Sequence, residues 1–280
     1  MPTSLDLKLI KKAVSEDLVA DLGAGDLSAA LIPMDQNIKA TVMTRESMIL
    51  CGKAWVEEVF TYLDPRVKCI WKLEEGERAE PNQIFLELEG PARALLSGER
   101  AALNWLQTLS GTATTVRSYV DILKGTSTQL LDTRKTIPGL RLAQKYAVHC
   151  GGGKNHRMGL YDAYLLKENH IMAAGSVGEA ILRARRASPE QLIEIEVESL
   201  RELEEALLHK VDVVMLDNFN LAEMREAVLF NQGRAKLEVS GNVNLETLRS
   251  IAETGVDYIS VGALTKHLHA IDLSMRFVDR

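Results

Sequence analysis

The sequence predicts an α/β fold with a parallel, barrel-like sheet, on three observations. Short apolar runs of strand character, "TQLLDT", "DAYLLKE", "IEIEVES", "VDVVMLDN", "KLEVSGN" and "DYISVGA", recur from about residue 127 onward. They sit roughly 20–35 residues apart, the length of a strand–helix unit. The later gaps open with helix-start signals: Ser176 with Glu179, Ser199 with Glu202 and Asn220 with Glu223 each place a capping side chain three residues before a Glu. Near-continuous apolar runs suit strands covered on both faces, so closing about six or seven of them into a barrel is the natural architecture.

The N-terminal part reads differently. Residues 5–20 form a helix by the spacing of Leu5, Leu7, Ile10, Val14 and Leu18. Residues 37–51 and 66–90 read as strands, the second stretch broken by turns at Gly76 and Pro81. "GKAWVEEVFTYL" between them reads as a helix, and residues 97–123 as one or two more. The result is a strand-rich unit with helices packed on it.

Bulk properties bound the function. Hydrophobic residues make up 46% and charged residues 26%, values of an ordinary globular protein. A net charge of -6 argues against a general nucleic-acid binder, so any anion recognition is local. No apolar stretch approaches a membrane span, and the N-terminus lacks a signal-peptide core, so a cytoplasmic location is expected. Cys51, Cys69 and Cys150 are too few and too scattered for a disulfide framework or a zinc site, and read as free thiols of a reducing compartment. Nothing around Cys150 marks it as a nucleophile.

The strand ends carry the chemistry. They present Asp132 with Arg134, Lys167, Glu196 with Glu198, Asp217, Ser240 with Asn242, and Gly262. The C-terminal rim is where β/α barrels place their sites, and a charge set in an apolar strand is costly unless it is used. One segment is notable for what it omits. Thr133 to Leu160 holds Arg134, Lys135, Arg141, Lys145, Lys154 and Arg157, with His149 and His156, and no Asp or Glu. It also contains Gly151–Gly153, which lets backbone approach a ligand closely. Arg134, Lys135, Arg157, Lys167 and His156 thus form an anion-binding set, and Glu196 with Asp217 a carboxylate pair on successive strands. Guanidinium forks match carboxylates, and a carboxylate pair suits Mg²⁺ carried by a phosphorylated substrate. There is no GxxxxGK phosphate loop, no GxSxG elbow and no HExxH.

Several of these stretches together, "LDTRKTIPGLRLAQKYAVHCGGGKNHRMGLYDAYLLKENHI", "IEVES", "VMLDNF", "LEVSGNV" and "ISVGALTKHLHAIDLSM", resemble the quinolinate phosphoribosyltransferase family, also called nicotinate-nucleotide pyrophosphorylase (carboxylating). The likeness runs through most of residues 97–276. It implies an N-terminal α/β sandwich over residues 1–108, completed by 270–280, and an incomplete, open β/α barrel over 109–269. It implies transfer of phosphoribosyl from phosphoribosyl pyrophosphate to quinolinate with loss of CO₂, and Mg²⁺ as cofactor.

By position in the family's motifs, the resemblance assigns quinolinate to Arg100, Arg134, His156, Arg157 and Lys167. It assigns the phosphoribosyl donor to Lys135, Ser240, Gly241, Asn242, Gly262 and Ala263. Lys135, Lys167, Glu196 and Asp217 are the implied catalytic residues, with Glu196 and Asp217 near Mg²⁺, directly or through water. Arg100 in "GERAALN" is implied to reach a neighbouring subunit's site, hence a homodimer. "TKH" at Thr265–His267 departs from the family's usual THS. Two alternatives stay open here: a paralogue acting on another heteroaromatic acid, of the kind found with molybdate transport systems, and a non-catalytic anion-binding module.

Overall fold

The computed structural model describes residues 6–241 and 243–278. They divide into two compact units. The first runs to Arg117 and takes in Leu142–Gly152 and the segment from His267; the second holds Ser118–Arg141 and Gly153–Lys266. Among the described residues no helix is long and apolar enough to cross a membrane.

The first unit begins with α1 (Leu7–Leu22), started by Asp6, whose carboxylate accepts the Lys8 N–H. It buries Ile10, Val14 and Leu18; Leu7 is exposed, and Leu5 lies outside the described residues. There follow β1 (Asn37–Thr44), β2 (Met48–Ile49), α2 (Lys53–Leu63), β3 (Lys68–Trp71), β4 (Arg78–Ala79), β5 (Ile84–Pro91) and the single long helix α3 (Ala92–Ile122). The main sheet is antiparallel, with β1 central between β5 and the C-terminal strand Leu273–Phe277, and β3 beyond β5. Trp55 of α2 stacks on Trp105 of α3 at 6.0 Å between ring centroids, an apolar joint between two helices. Ser110 of α3 fixes the turn before α2: its hydroxyl accepts from the Cys51 N–H and donates to the Cys51 carbonyl.

The second unit holds a parallel sheet: β6 (Gln129–Leu131), then, after α4 (Arg141–Cys150), β7 (Tyr164–Leu166), β8 (Ile193–Val197), β9 (Val213–Asp217), β10 (Lys236–Ser240) and β11 (Tyr258–Ser260). All six expected strands form. Their order is β6–β11–β10–β9–β8–β7, and among the described residues β6 and β7 do not pair, so the barrel is open at that seam. Lys154 makes a one-residue parallel bridge with Leu131 on the free side of β6. The connecting helices are α5 (Glu168–Ala174), α6 (Val177–Ala187), α7 (Leu200–Leu208), α8 (Leu221–Asn231), α9 (Leu248–Ala252) and α10 (Ala263–Lys266). The expected caps form. Ser176 and Ser199 each accept the N–H of the Glu three residues on, and Asn220 with Glu223 closes a full capping box.

The strands are covered on both faces, as expected, and the register shows how the two faces differ. Ile195, Val214 and Leu237 align across the sheet, as do Val197, Leu216, Val239, Ile259 and Leu130. That face is wholly apolar. The opposite face carries Glu194 and Glu196 of β8, Asp217 of β9, Glu238 and Ser240 of β10, and Ser260 of β11. β8 and β10 are therefore apolar on one side only, and their acids share the opposite face with Val213 and Met215 of β9. Side chains alternate across a strand, so runs such as "IEIEV" put every Glu on the same side.

Packing of the first unit yields a direct test. A Cβ on Gly111 of α3 would sit 2.0 Å from the His269 carbonyl oxygen, a backbone atom that cannot swing away. Gly111→Ala should destabilise the protein by about 1–3 kcal/mol. Thermal or urea unfolding that matched the unsubstituted protein would show that this close approach is not fixed.

Candidate active site

The C-terminal rim of the parallel sheet is built from strand ends. Ser240 stands level with Asp217 on one side and Ser260 on the other. Glu196 lies one strand further on, and Lys167 follows the last residue of β7. The Lys167 ammonium is hydrogen-bonded to Glu196 Oε2. Burial pushes the Asp217 carboxyl up from the usual range, the negative charge of Glu196 adds to this, and Lys167 opposes it. Asn218 takes a left-handed conformation (φ 59°) and its side-chain amide donates to Asp217 Oδ2 at 3.1 Å. Gly241, at φ 95°, turns the chain sharply after β10.

Below the rim lies a buried polar network. Asp132, which is fully buried, accepts from the Asn155 side chain at 2.6 Å and from the His156 N–H at 2.8 Å. His156 Nδ1 accepts the Arg157 N–H at 2.7 Å, so the ring's proton sits on Nε2. That nitrogen lies 2.9 Å from Glu194 Oε2 and 3.7 Å from Glu238 Oε2. Two carboxyls this close in a dry interior cannot both ionise readily. Burial and then the Glu194 charge raise the Glu238 carboxyl to about 8, against the pull of His156. His156 Nε2, Glu194 and Glu238 are also close enough to share a cation. The Arg157 amide, by holding Nδ1, keeps a proton on Nε2, which occupies that role.

The basic residues gather above this network. Arg157 donates to the Ala163 carbonyl at 3.1 Å; its charged form is disfavoured by burial and by the adjacent Arg134, and favoured by Glu194. Arg134 is half-buried, and its Nη1 is buried with no hydrogen-bond partner among the described residues. Arg141 braces this turn by donating to the Arg134 and Met158 carbonyls and to the Thr136 hydroxyl. Lys135 is exposed, and a Cβ on Gly262 would come within 3.0 Å of its Cδ. Thr265 of α10 donates its hydroxyl to the Lys135 carbonyl at 2.9 Å, so the unusual "TKH" turn is tied to the basic loop through its first residue.

The fold thus brings Arg134, Lys135, His156, Arg157, Lys167, Glu196, Asp217, Ser240, Gly241, Gly262 and Ala263 into the second unit, on or next to one end of one sheet. Arg100 is exposed on α3 in the first unit. Asn242 lies outside the described residues. Lys145, one of the positive charges of the basic segment, is fully buried on α4 in the first unit. Two of the consecutive glycines serve packing and turning: a Cβ on Gly151 would be 2.6 Å from the Ala113 carbonyl and from Val116, and Gly152 has φ 96°. Sequence reasoning passed over Glu194 and Glu238, and it took Asp132 for a rim group. The strict alternation of "IEIEV" and "LEVS" was the available signal.

Comparison with known proteins agrees with this geometry. The model for the quinolinate phosphoribosyl transferase C-terminal domain matches residues 112–276, and that for the N-terminal domain residues 26–110. The chain is 41% identical over 267 residues to a probable nicotinate-nucleotide pyrophosphorylase (carboxylating) of Bacillus subtilis, covering 95% of this chain and 92% of that one. It is 39% identical over 273 residues to the nicotinate-nucleotide pyrophosphorylase (carboxylating) of Mycobacterium leprae, covering 95% of each. The solved nicotinate-nucleotide pyrophosphorylase of Francisella tularensis superposes with a TM-score of 0.96 at 45% identity, covering 98% of both chains.

The raised Glu238 carboxyl gives a pH signature. The folded state holds this proton to about pH 8, whereas an unfolded glutamate releases it near 4.5. The stabilisation is therefore complete below the unfolded value and is lost as pH rises toward 8. Glu238→Gln cannot titrate. Its melting temperature should gain on that of the unsubstituted protein steadily between pH 5 and 8, and parallel curves would contradict a shared proton.

Proposed function

The chain belongs to the quinolinate phosphoribosyltransferase family, and on that premise we propose how its own residues divide the work. The reaction joins quinolinate to the ribose of phosphoribosyl pyrophosphate and releases pyrophosphate and CO₂, leaving nicotinate mononucleotide, a step of NAD biosynthesis. One observation carries the assignment of the acid-binding pocket. Arg134 keeps a buried guanidinium nitrogen without a partner beside Arg157, whose charge is already disfavoured by burial and by Arg134. Two like charges held together in a partly dry site call for an anion between them. A planar dicarboxylate offers each guanidinium a two-pronged partner.

His156 acts through Arg157, since its Nδ1 accepts the Arg157 N–H and so fixes where that residue leaves the backbone. Lys135, Ser240, Gly241, Asn242, Gly262 and Ala263 take the phosphate groups of the donor. Glycine at 241 and 262 lets the backbone approach phosphate oxygens, and α10 presents its first N–H groups beside Gly262. Glu196 and Asp217 face the ribose. As pyrophosphate leaves, positive charge builds on the sugar, and fixed carboxylates stabilise it. Lys167 bonds to Glu196 and holds that carboxylate in place.

The same two carboxylates fit a divalent cation. Burial and then the Glu196 charge push the Asp217 carboxyl up, and a dication held between the two carboxylates would relieve that cost. Magnesium held there with the donor supplies neutralisation of the pyrophosphate charge. Decarboxylation then follows from the substrate. Bonding to ribose makes the ring nitrogen cationic, the C2 carboxylate departs as CO₂, and the electron pair left on C2 is held by the adjacent cation until a proton arrives. Positioning and exclusion of water suffice for this step. Arg100, exposed on α3, is free to enter the site of a second copy, and a homodimer with shared sites is part of the proposal.

Donor-dependent release of CO₂ from carboxyl-labelled quinolinate tests the reaction, and its absence with both substrates and magnesium present would sink the assignment. Arg134→Ala should weaken quinolinate binding roughly 10- to 150-fold, the loss of one charged hydrogen-bonding group, and leave donor binding within about 3-fold. Equal losses for both ligands in calorimetric titration would contradict its role.

A further inference from the structure

The first unit contains a cluster of titratable groups that the transferase chemistry leaves unused. Cys51 precedes α2, Glu75 precedes β4, and Cys150 ends α4. Folding places the two sulfurs and a Glu75 carboxylate oxygen within 4.8 Å of one another. Cys51 is fully buried, and Cys150 and Glu75 are half-buried. The Cys150 sulfur lies 3.9 Å from Glu75 Oε2. The carboxylate is held in place by backbone: Oε1 accepts the N–H groups of Gly52 and Lys53 at 3.0 and 2.8 Å, at the start of α2.

Donors and positive charge stand around this cluster. The exposed N–H groups at the start of α2 face Glu75, and Lys53 adds a positive charge nearby. Arg117 binds the Gly151 and Cys150 carbonyls, next to one of the thiols. The thiols and the carboxyl are otherwise poorly served. Burial, then the adjacent Cys150 and the Glu75 charge, push the Cys51 thiol up, and burial pushes the Glu75 carboxyl up.

We propose that Cys51, Glu75 and Cys150 form a binding site for one thiophilic divalent cation of the zinc type. Zinc holds thiolate sulfur at about 2.3 Å and carboxylate oxygen at about 2.0–2.2 Å, so tetrahedral ligands lie about 3.5–3.8 Å apart. The observed 3.9 Å between Cys150 Sγ and Glu75 Oε2 needs only a small contraction. Three protein ligands leave a fourth position for a solvent oxygen. Bound metal would clip together the start of α2, the turn before β4 and the end of α4, and so would raise the stability of this unit. The cysteines are scattered along the chain, yet Cys51 and Cys150 meet in space.

Cobalt(II) is the probe, because thiolate ligation gives it a charge-transfer absorption that carboxylate or imidazole ligation does not. The reduced, chelator-treated full-length chain should bind one cobalt per chain with a thiolate band, and zinc should displace it. Cys150→Ser should abolish the band. Glu75→Gln should raise the cobalt Kd at least 10-fold, and it carries the test if the serine variant fails to fold. Zinc should raise the melting temperature of the unsubstituted protein and not that of Glu75→Gln. No thiolate band, or a band unchanged in both variants, overturns the proposal. So does formation of a Cys51–Cys150 disulfide in place of metal uptake. None of these readouts depends on turnover.

Discussion

The arrangement rests on the buried contact between His156 and Glu194. One imidazole joins three parts of the second unit: its backbone N–H is held by Asp132 after β6, its Nδ1 holds the Arg157 amide, and its Nε2 reaches Glu194 of β8 with Glu238 of β10 nearby. In an interior of low effective dielectric each of these bonds is stronger than in water, and an unpaired member would be costly. These bonds fix the His156 ring from three sides. The loop that carries Asn155, His156 and Arg157 inherits its position from the strands beneath it.

That rigidity allows the rim above to be electrostatically unfinished. Arg134 sits beside Arg157 and disfavours its charge, which Glu194 and Asp162 only partly offset, and Glu196 and Asp217 stand on adjacent strands near Lys167. Each pair is unfavourable alone. A fold of ordinary stability feels this cost, because a few kcal/mol is a large share of the total, and the layer beneath adds to it, since Glu194 Oε1 and Glu238 Oε1 are buried without hydrogen-bond partners among the described residues. The open seam belongs to the same logic. Lys154 bridges to Leu131 at the free side of β6, and Arg157 bonds to the Ala163 carbonyl just before β7. Irregular backbone at that seam, where a further regular strand would have closed the ring, delivers two basic residues to the pocket.

How much of this was legible in the sequence follows from what periodicity reports. Strand positions, helix starts and the strand-end charges could be read directly, since they depend on neighbours along the chain. The polar interior was written in the alternation of "IEIEV" and "LEVS", but apolar totals hid it: Ile195, Val197 and Val239 make the runs look buried throughout. Glu194 and Glu238 meet only through strand order, with β9 between them. No spacing rule foretells that pair. The glycines of the basic segment show the reverse error. A ligand-binding reading fits their composition, yet Gly151 is needed because α3 lies where a Cβ would be.

The same limit governs cysteine. Motif rules for thiols work when ligands sit on one turn or hairpin, because local geometry then sets their separation. Cys51, Glu75 and Cys150 belong to three segments, and their meeting depends on Gly76, where a Cβ would stand 3.0 Å from the Cys150 carbonyl. Glycine at that position, in a left-handed conformation at φ 82°, lets the turn bearing Glu75 close onto the end of α4. The carboxylate meets the two thiols because one residue next to it has no side chain, which is a property of packing and not of spacing.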